Sequence, residues 1–144
     1  MNLTEVTVSR TIPASAEKVF DMWMNPKGPG GPWFGVERLI FNPSVDGLFY
    51  SLVKHQGSLH PHYGRFIRIE RPKRIEHTWM SEGTRGAESV VNITLEPRGD
   101  DTEFTIRHSG LPDDELGRKH KGGWGWILDM LAQGLAARRS ASSD

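Results

Sequence analysis

The stretch Gly123-Trp124-Gly125-Trp126-Ile127-Leu128-Asp129-Met130-Leu131-Ala132-Gln133-Gly134-Leu135 decides the fold. Trp124, Ile127, Leu128, Leu131 and Leu135 fall at i, i+3, i+4, i+7 and i+11, the stripe of a helix that buries one face. The pattern predicts a long helix that starts near Asp113. Arg138 and Arg139 then lie near its negative end. Upstream of Leu111-Pro112 the period changes. Residues 102–109 and 89–96 alternate and flank Pro97-Arg98-Gly99-Asp100-Asp101, a hairpin signal. Residues 74–81, 63–70, 48–55 and 36–42 read as four more strands. The breaks between them are Arg71-Pro72, Gln56-Gly57 and Asp46-Gly47, with the 83–86 glycine turn after residue 81. Short turns between successive strands imply an antiparallel sheet.

Further out lies a seventh strand, 3–12, where Val6 and Val8 alternate with Thr7 and Ser9. Pro13 ends it, and Ser15 is placed to cap a helix with Glu17 in its first turn. Ala16, Val19, Phe20 and Trp23 give that helix one apolar face, and Asn25-Pro26 ends it. The order strand, helix, six strands, helix predicts an α+β domain with helices on one face of the sheet. The chain reads as a single domain over 1–139 and a frayed tail over 140–144.

Composition narrows the function. The 144 residues include 18 basic and 18 acidic side chains, six histidines, five tryptophans and no cysteine. Thiol chemistry, disulfides and cysteine-bound metals are excluded. The balanced charge argues against a nucleic-acid binder. No apolar run is long enough for a membrane span, and the first residues lack signal-peptide character, so cytoplasm is the expected compartment.

Four stretches carry a family resemblance. They are Ile12-Pro13-Ala14-Ser15 through Val19-Phe20 and Trp23; Trp33-Phe34-Gly35; Gly64-Arg65-Phe66 through Ile69-Glu70-Arg71-Pro72 to Thr78-Trp79; and Gly123-Trp124 with Leu128 and Leu131. In this order they resemble the SRPBCC (START-like) superfamily, and within it the heat-shock-protein-90 ATPase activator-like domain. The resemblance implies a helix-grip fold, in which a curved seven-stranded antiparallel sheet wraps a long C-terminal helix and leaves an internal cavity. Two departures stand out. Lys27-Gly28-Pro29-Gly30-Gly31-Pro32 replaces a short second helix and is expected at the cavity mouth, with Trp33 marking it. The eukaryotic co-chaperone's separate N-terminal domain has no counterpart here, so stimulation of a chaperone ATPase is not carried over.

Alternation assigns the inward face. Phe49, Ser51, Val53 and His55 point inward from one strand, and Ile75, His77 and Trp79 from another. Val91, Ile93 and Leu95 do so from the next, and Phe104, Ile106 and His108 from the last. Residues 66–69 do not alternate cleanly, which predicts a bulge and places Phe66 inward. The expected ligand-binding set is Trp33, Phe49, Val53, His55, Phe66, His77, Trp79, His108, Trp124, Ile127, Leu128 and Leu131. Three inward histidines among apolar walls suit the few polar anchors of a small-molecule pocket, and His77 and His108 are candidate acid–base groups. Satisfied core histidines are the plainer alternative.

Other signals are weaker. His60-Pro61-His62 has ligand spacing but no third ligand nearby, so an exposed turn is preferred over a metal site. No cofactor is expected. Gly117, Gly122, Gly123, Gly125 and Gly134 near the last helix leave two readings open. They make room for a ligand or for close tryptophan packing, or they mark an irregular lead-in to a helix that starts near Gly123.

The leading expectation is a module that binds a small hydrophobic molecule. Two alternatives remain: a cyclase- or dehydratase-like enzyme using a pocket histidine, and a protein-interaction domain. Homodimer formation and a chaperone partner stay open.

Overall fold

The computed structural model describes residues 2–28 and 30–142. Seven strands form one antiparallel sheet: β1 (Leu3–Ile12), β2 (Arg38–Phe41), β3 (Leu48–His55), β4 (Ser58–Glu70), β5 (Arg74–Ser81), β6 (Ser89–Arg98) and β7 (Asp101–Pro112). The spatial order is β1-β7-β6-β5-β4-β3-β2, so β1 closes against the last strand while the other neighbours follow the chain. Helices α1 (Ala16–Met24), α2 (Glu115–Arg118) and α3 (His120–Ser142) complete the domain. This is the α+β helix-grip arrangement that the resemblance implies.

Local chemistry explains the elements. Ser15 caps α1, its hydroxyl accepting from the Lys18 N–H at 3.4 Å, and Glu17 lies in the first turn. Ala16, Val19, Phe20, Met22 and Trp23 bury one face of α1. The β3–β4 connection is the two-residue turn Gln56-Gly57, both at positive φ (51° and 80°), the geometry that matches strand twist in a tight hairpin. The expected bulge occurs between Phe66 and Arg68, and Phe66 is fully buried.

Several expected boundaries are corrected. β2 covers four residues rather than 36–42: Gly35 at φ 74° turns the chain just before residue 36, and the pairing with β3 runs only from Arg38 to Phe41. β4 begins at Ser58, not at residue 63, so His60-Pro61-His62 is strand and not an exposed turn. Pro61 is tolerated because β5 pairs with β4 only from His62 onward, which leaves one edge of β4 open at that point. The 97–101 loop tightens to Gly99-Asp100, with Gly99 at φ 64°. The long helix does not start near Asp113. Asp114 instead caps the short α2, accepting from the Gly117 N–H at 2.9 Å. A Cβ on Gly117 would lie 1.8 Å from the Pro112 carbonyl oxygen, so only glycine permits this tight entry. α3 runs through Ser142, so the expected tail is helical to that point, and residues 143–144 lie outside the described residues.

The core is aromatic. Trp23 packs on Phe104 at 4.8 Å between ring centroids and on Trp124 at 6.2 Å. Trp33 is buried against Phe41 (4.9 Å), Phe49 (4.7 Å) and Phe66 (6.0 Å). Just before it, Gly31 is packed down on α1, since a Cβ there would lie 2.3 Å from the Trp23 carbonyl oxygen. Trp33 therefore plugs the interior and does not mark an entrance.

Candidate functional site

Among the described residues one open cleft of about 420 Å³ lies at one end of the sheet, and a second, of about 630 Å³ and lined by Lys18, Asp21, Asn25 and Arg139, lies between α1 and the end of α3, away from the expected site residues. To the first, β3 supplies Ser51, Val53 and His55, β4 supplies His60 and His62, and β5 supplies Trp79 and Ser81. Opposite them stand Leu116, Lys119, His120, Gly123, Trp124 and Ile127, with Pro32, Glu82 and Gly83 at the margins.

The expected binding set divides here. Val53, His55, Trp79, Trp124 and Ile127 line the cleft. Trp33, Phe49, Phe66, His77, His108, Leu128 and Leu131 do not, because they are packed into the core. They point inward as their alternation requires, but large side chains fill the space between sheet and helix along most of its length. His55 is on the inward face yet exposed at the rim, since β3 extends there beyond the core.

The buried polar side chains explain why His108 is not free to act. The Trp124 indole N–H donates to His108 Nδ1 at 3.0 Å. An indole nitrogen only donates, so Nδ1 carries no proton and the ring's hydrogen sits on Nε2. Nε2–H donates to Ser89 Oγ at 2.7 Å, and that hydroxyl donates to the Trp79 carbonyl at 2.6 Å. Every donor in this chain meets an acceptor, and both ring nitrogens are used. Burial, aided by the neighbouring His120 and His77, holds the His108 pKa down to about 2. His108 thus orients Trp124 on the cleft wall, joining α3 to β6 and β5.

His77 is fully buried among aromatic rings. Its Nδ1–H donates to the Thr78 carbonyl at 2.8 Å, and burial lowers its pKa to about 4. Neither candidate acid–base histidine touches the cleft.

The histidines that line it are His55, His60, His62 and His120. Of these, His60, His62 and His120 are half-buried, and burial lowers the pKa values of His62 and His120. His120 Nδ1–H donates to the Gly117 carbonyl at 3.0 Å, which leaves Nε2 near Gly83, 3.3 Å from where a Cβ there would stand. Alternation along β3 marked His55, and the spacing of His60 and His62 was the other trace of this cluster in the sequence. His120 left none, because its position depends on the break between α2 and α3. Among the described residues no group of three or more histidine, aspartate or glutamate side chains is arranged to hold a metal ion.

The glycine question divides too. A Cβ on Gly122, Gly123 or Gly125 would meet nothing within 4 Å, so close tryptophan packing does not require them. Gly123 faces the cleft, where a missing side chain leaves room.

The sheet-and-helix architecture and this cleft define a helix-grip domain of SRPBCC type. The sequence pattern described as Activator of Hsp90 ATPase homolog 1-like protein matches residues 13–136, and the chain belongs to that family. The solved structure of the Mll3558 protein from Rhizobium loti is similar, with 20% identity over 92% of this chain and 97% of that one and a TM-score of 0.77. DynU16, a protein of the dynemicin biosynthetic locus, is 22% identical over 92% of this chain and 47% of its own, with a TM-score of 0.74. Ara h 8.0201 has the same fold at 12% identity, covering 94% of this chain and 99% of that one, with a TM-score of 0.74. No curated protein matches the chain in sequence. Among the described residues no helix is long and apolar enough to cross a membrane.

Proposed function

We propose that this chain binds a small, largely apolar molecule in the cleft between the β3–β5 part of the sheet and the start of α3. The observation that carries the reading is the cleft itself. Its volume of about 420 Å³ falls in the range of small-molecule sites, roughly 300–1,000 Å³, and Val53, Trp79, Trp124 and Ile127 give it apolar walls. The family and fold are in keeping with this reading. Acid–base catalysis by His108 or His77 draws no support, since one has both nitrogens engaged and the other is sealed in the core.

Burying roughly 300 Å² of apolar ligand surface at about 25 cal/mol per Å² yields about 7.5 kcal/mol. Association costs of roughly 4 kcal/mol or more reduce this to about millimolar binding. Tighter binding requires polar contacts in addition.

Native mass spectrometry of protein purified from its own host should show a small molecule that is released on denaturation. Trp79→Ala and Ile127→Ala should each weaken its retention by about tenfold. If both variants retain it like the wild type, the cleft is not the site.

A further inference from the structure

His120, Ser81 and Gly83 all line the cleft. His120 Nδ1–H faces the carbonyls of Gly117 and Leu116 at 3.0 and 3.2 Å. Carbonyls only accept, so the hydrogen of the neutral ring sits on Nδ1 and Nε2 is left as an acceptor. Burial lowers the pKa of this ring, which keeps it neutral at pH 7. The ring stands at 85° to that of His108, 5.0 Å away, and His108 has both of its own nitrogens engaged. His120 is thus oriented from two sides, and among the described residues its Nε2 has no hydrogen-bond partner. Ser81 is held as well. Its Oγ accepts from the Gly83 N–H at 3.1 Å, and its own hydrogen meets no acceptor among the described residues.

Gly83 brings the two together. The position a Cβ there would take lies 3.3 Å from His120 Nε2 and 3.4 Å from Ser81 Oγ. The missing side chain is a notch in the cleft wall, with an acceptor and a donor converging on it. A guest that covers the notch strips both of water and must replace it. An ether offers Nε2 no hydrogen. A carboxylate sets lone pairs against it. An ammonium group brings a charge among apolar walls. A hydroxyl or a primary amide both donates and accepts, and is neutral. We infer that the Gly83 notch is the polar subsite of the cleft and takes the hydroxyl or amide end of an apolar guest, which donates to His120 Nε2 and accepts from Ser81 Oγ–H. The inference rests on the cleft being a ligand site and adds where the polar end is read and what chemistry it carries.

Three probes test it at neutral pH: 2-naphthol, 2-methoxynaphthalene, which keeps the oxygen and loses the donor, and 2-naphthoate, which is anionic. NMR titration of the full chain should give 2-naphthol about tenfold tighter binding than 2-methoxynaphthalene, with 2-naphthoate weaker still. Gly83→Ala fills the notch, since the new Cβ would stand 2.9 Å from His120 Cε1, and Gly83 is not in the left-handed region that would strain an alanine. His120→Phe keeps a ring and removes the acceptor. In each variant the two neutral probes should bind within about twofold of each other. The wild type gives a readout independent of either variant's folding: 2-naphthol, but not 2-methoxynaphthalene, should shift the ¹⁵N resonance of His120 Nε2. A naphthol preference that persists in both variants, an unmoved His120 resonance at saturating 2-naphthol, or tightest binding of 2-naphthoate would overturn the assignment. Ile127→Ala, on the apolar wall, separates the two levels. If the neutral probes bind the wild type equally and both weaken in Ile127→Ala, the notch assignment falls and the ligand cleft stands. If Ile127→Ala weakens neither, or no probe binds, the cleft reading falls and the inference with it.

Discussion

Replacing Trp124 with phenylalanine isolates one hydrogen bond at the junction of α3 and the sheet. The phenyl ring keeps most of the buried volume against Trp23 and Trp79, whose centroids lie 6.2 and 5.2 Å from the indole. What is lost is the donor to His108 Nδ1. The net hydrogen bond is worth about 1 kcal/mol, and a stranded buried acceptor costs about 1–3 kcal/mol. The variant should therefore lose about 1–3 kcal/mol, the cost of the stranded acceptor. Urea unfolding reads this as a lower midpoint with an unchanged m value. In a chain of this size each kcal/mol moves Tm by roughly 2–4 °C. Trp23→Phe supplies the contrast. Its indole nitrogen has no partner, so only ring volume is lost and the cost should be smaller. The His108 network is refuted if Trp124→Phe costs no more than Trp23→Phe, or if His108 of the wild type titrates by NMR near pH 6.

Other consequences can be measured directly. Gly123→Ala should stabilise α3 by about 1 kcal/mol, since nothing obstructs the new methyl, yet weaken cleft ligands. Gly122→Ala should stabilise similarly and leave binding alone, as thermal melts and native mass spectrometry of the retained molecule would show. Gly117→Ala should prevent folding or cost more than about 3 kcal/mol, because the methyl collides with a backbone carbonyl. Trp33→Ala should cost about 3–5 kcal/mol by denaturant titration. Stability should also depend on acid. His77 and His108 have folded pKa values of about 4 and about 2, below the ordinary 6.5, so the unfolded chain binds more protons. Their contribution is complete above about pH 6.5 and is lost as pH falls toward the folded values. For His77 alone that is roughly 3 kcal/mol, and His77→Phe should flatten the fall between pH 6.5 and 4.

Strand β5 was legible in full, because alternation and flanking breakers both mark Arg74–Ser81. The stripe of α3 was equally plain, but its first turn was not. Gly117 is a glycine because of a carbonyl five residues back, and only the folded chain brings the two together. Pro61 misled for a related reason: whether proline fits a strand depends on which edge has a neighbour, a property of the sheet. The site was harder still. Alternation tells which way Phe49, Phe66 and His77 point, but emptiness is what remains after all the volumes are summed. That sum placed the cleft at one end of the sheet and exchanged His77 and His108 for His62 and His120.

The open edge beside Pro61 has a mechanical consequence. Beyond residue 53 on β3 and before residue 62 on β4, neither strand has another neighbour. The hairpin tip carrying His55 and His60 is therefore a two-stranded ribbon that projects past the sheet as a cantilever. Its amides should exchange with solvent through small local openings, far below the free energy of global unfolding. One wall of the cleft is thus held by fewer strand pairings than the aromatic core behind it, so substitutions at the tip should alter the cleft with little effect on global stability.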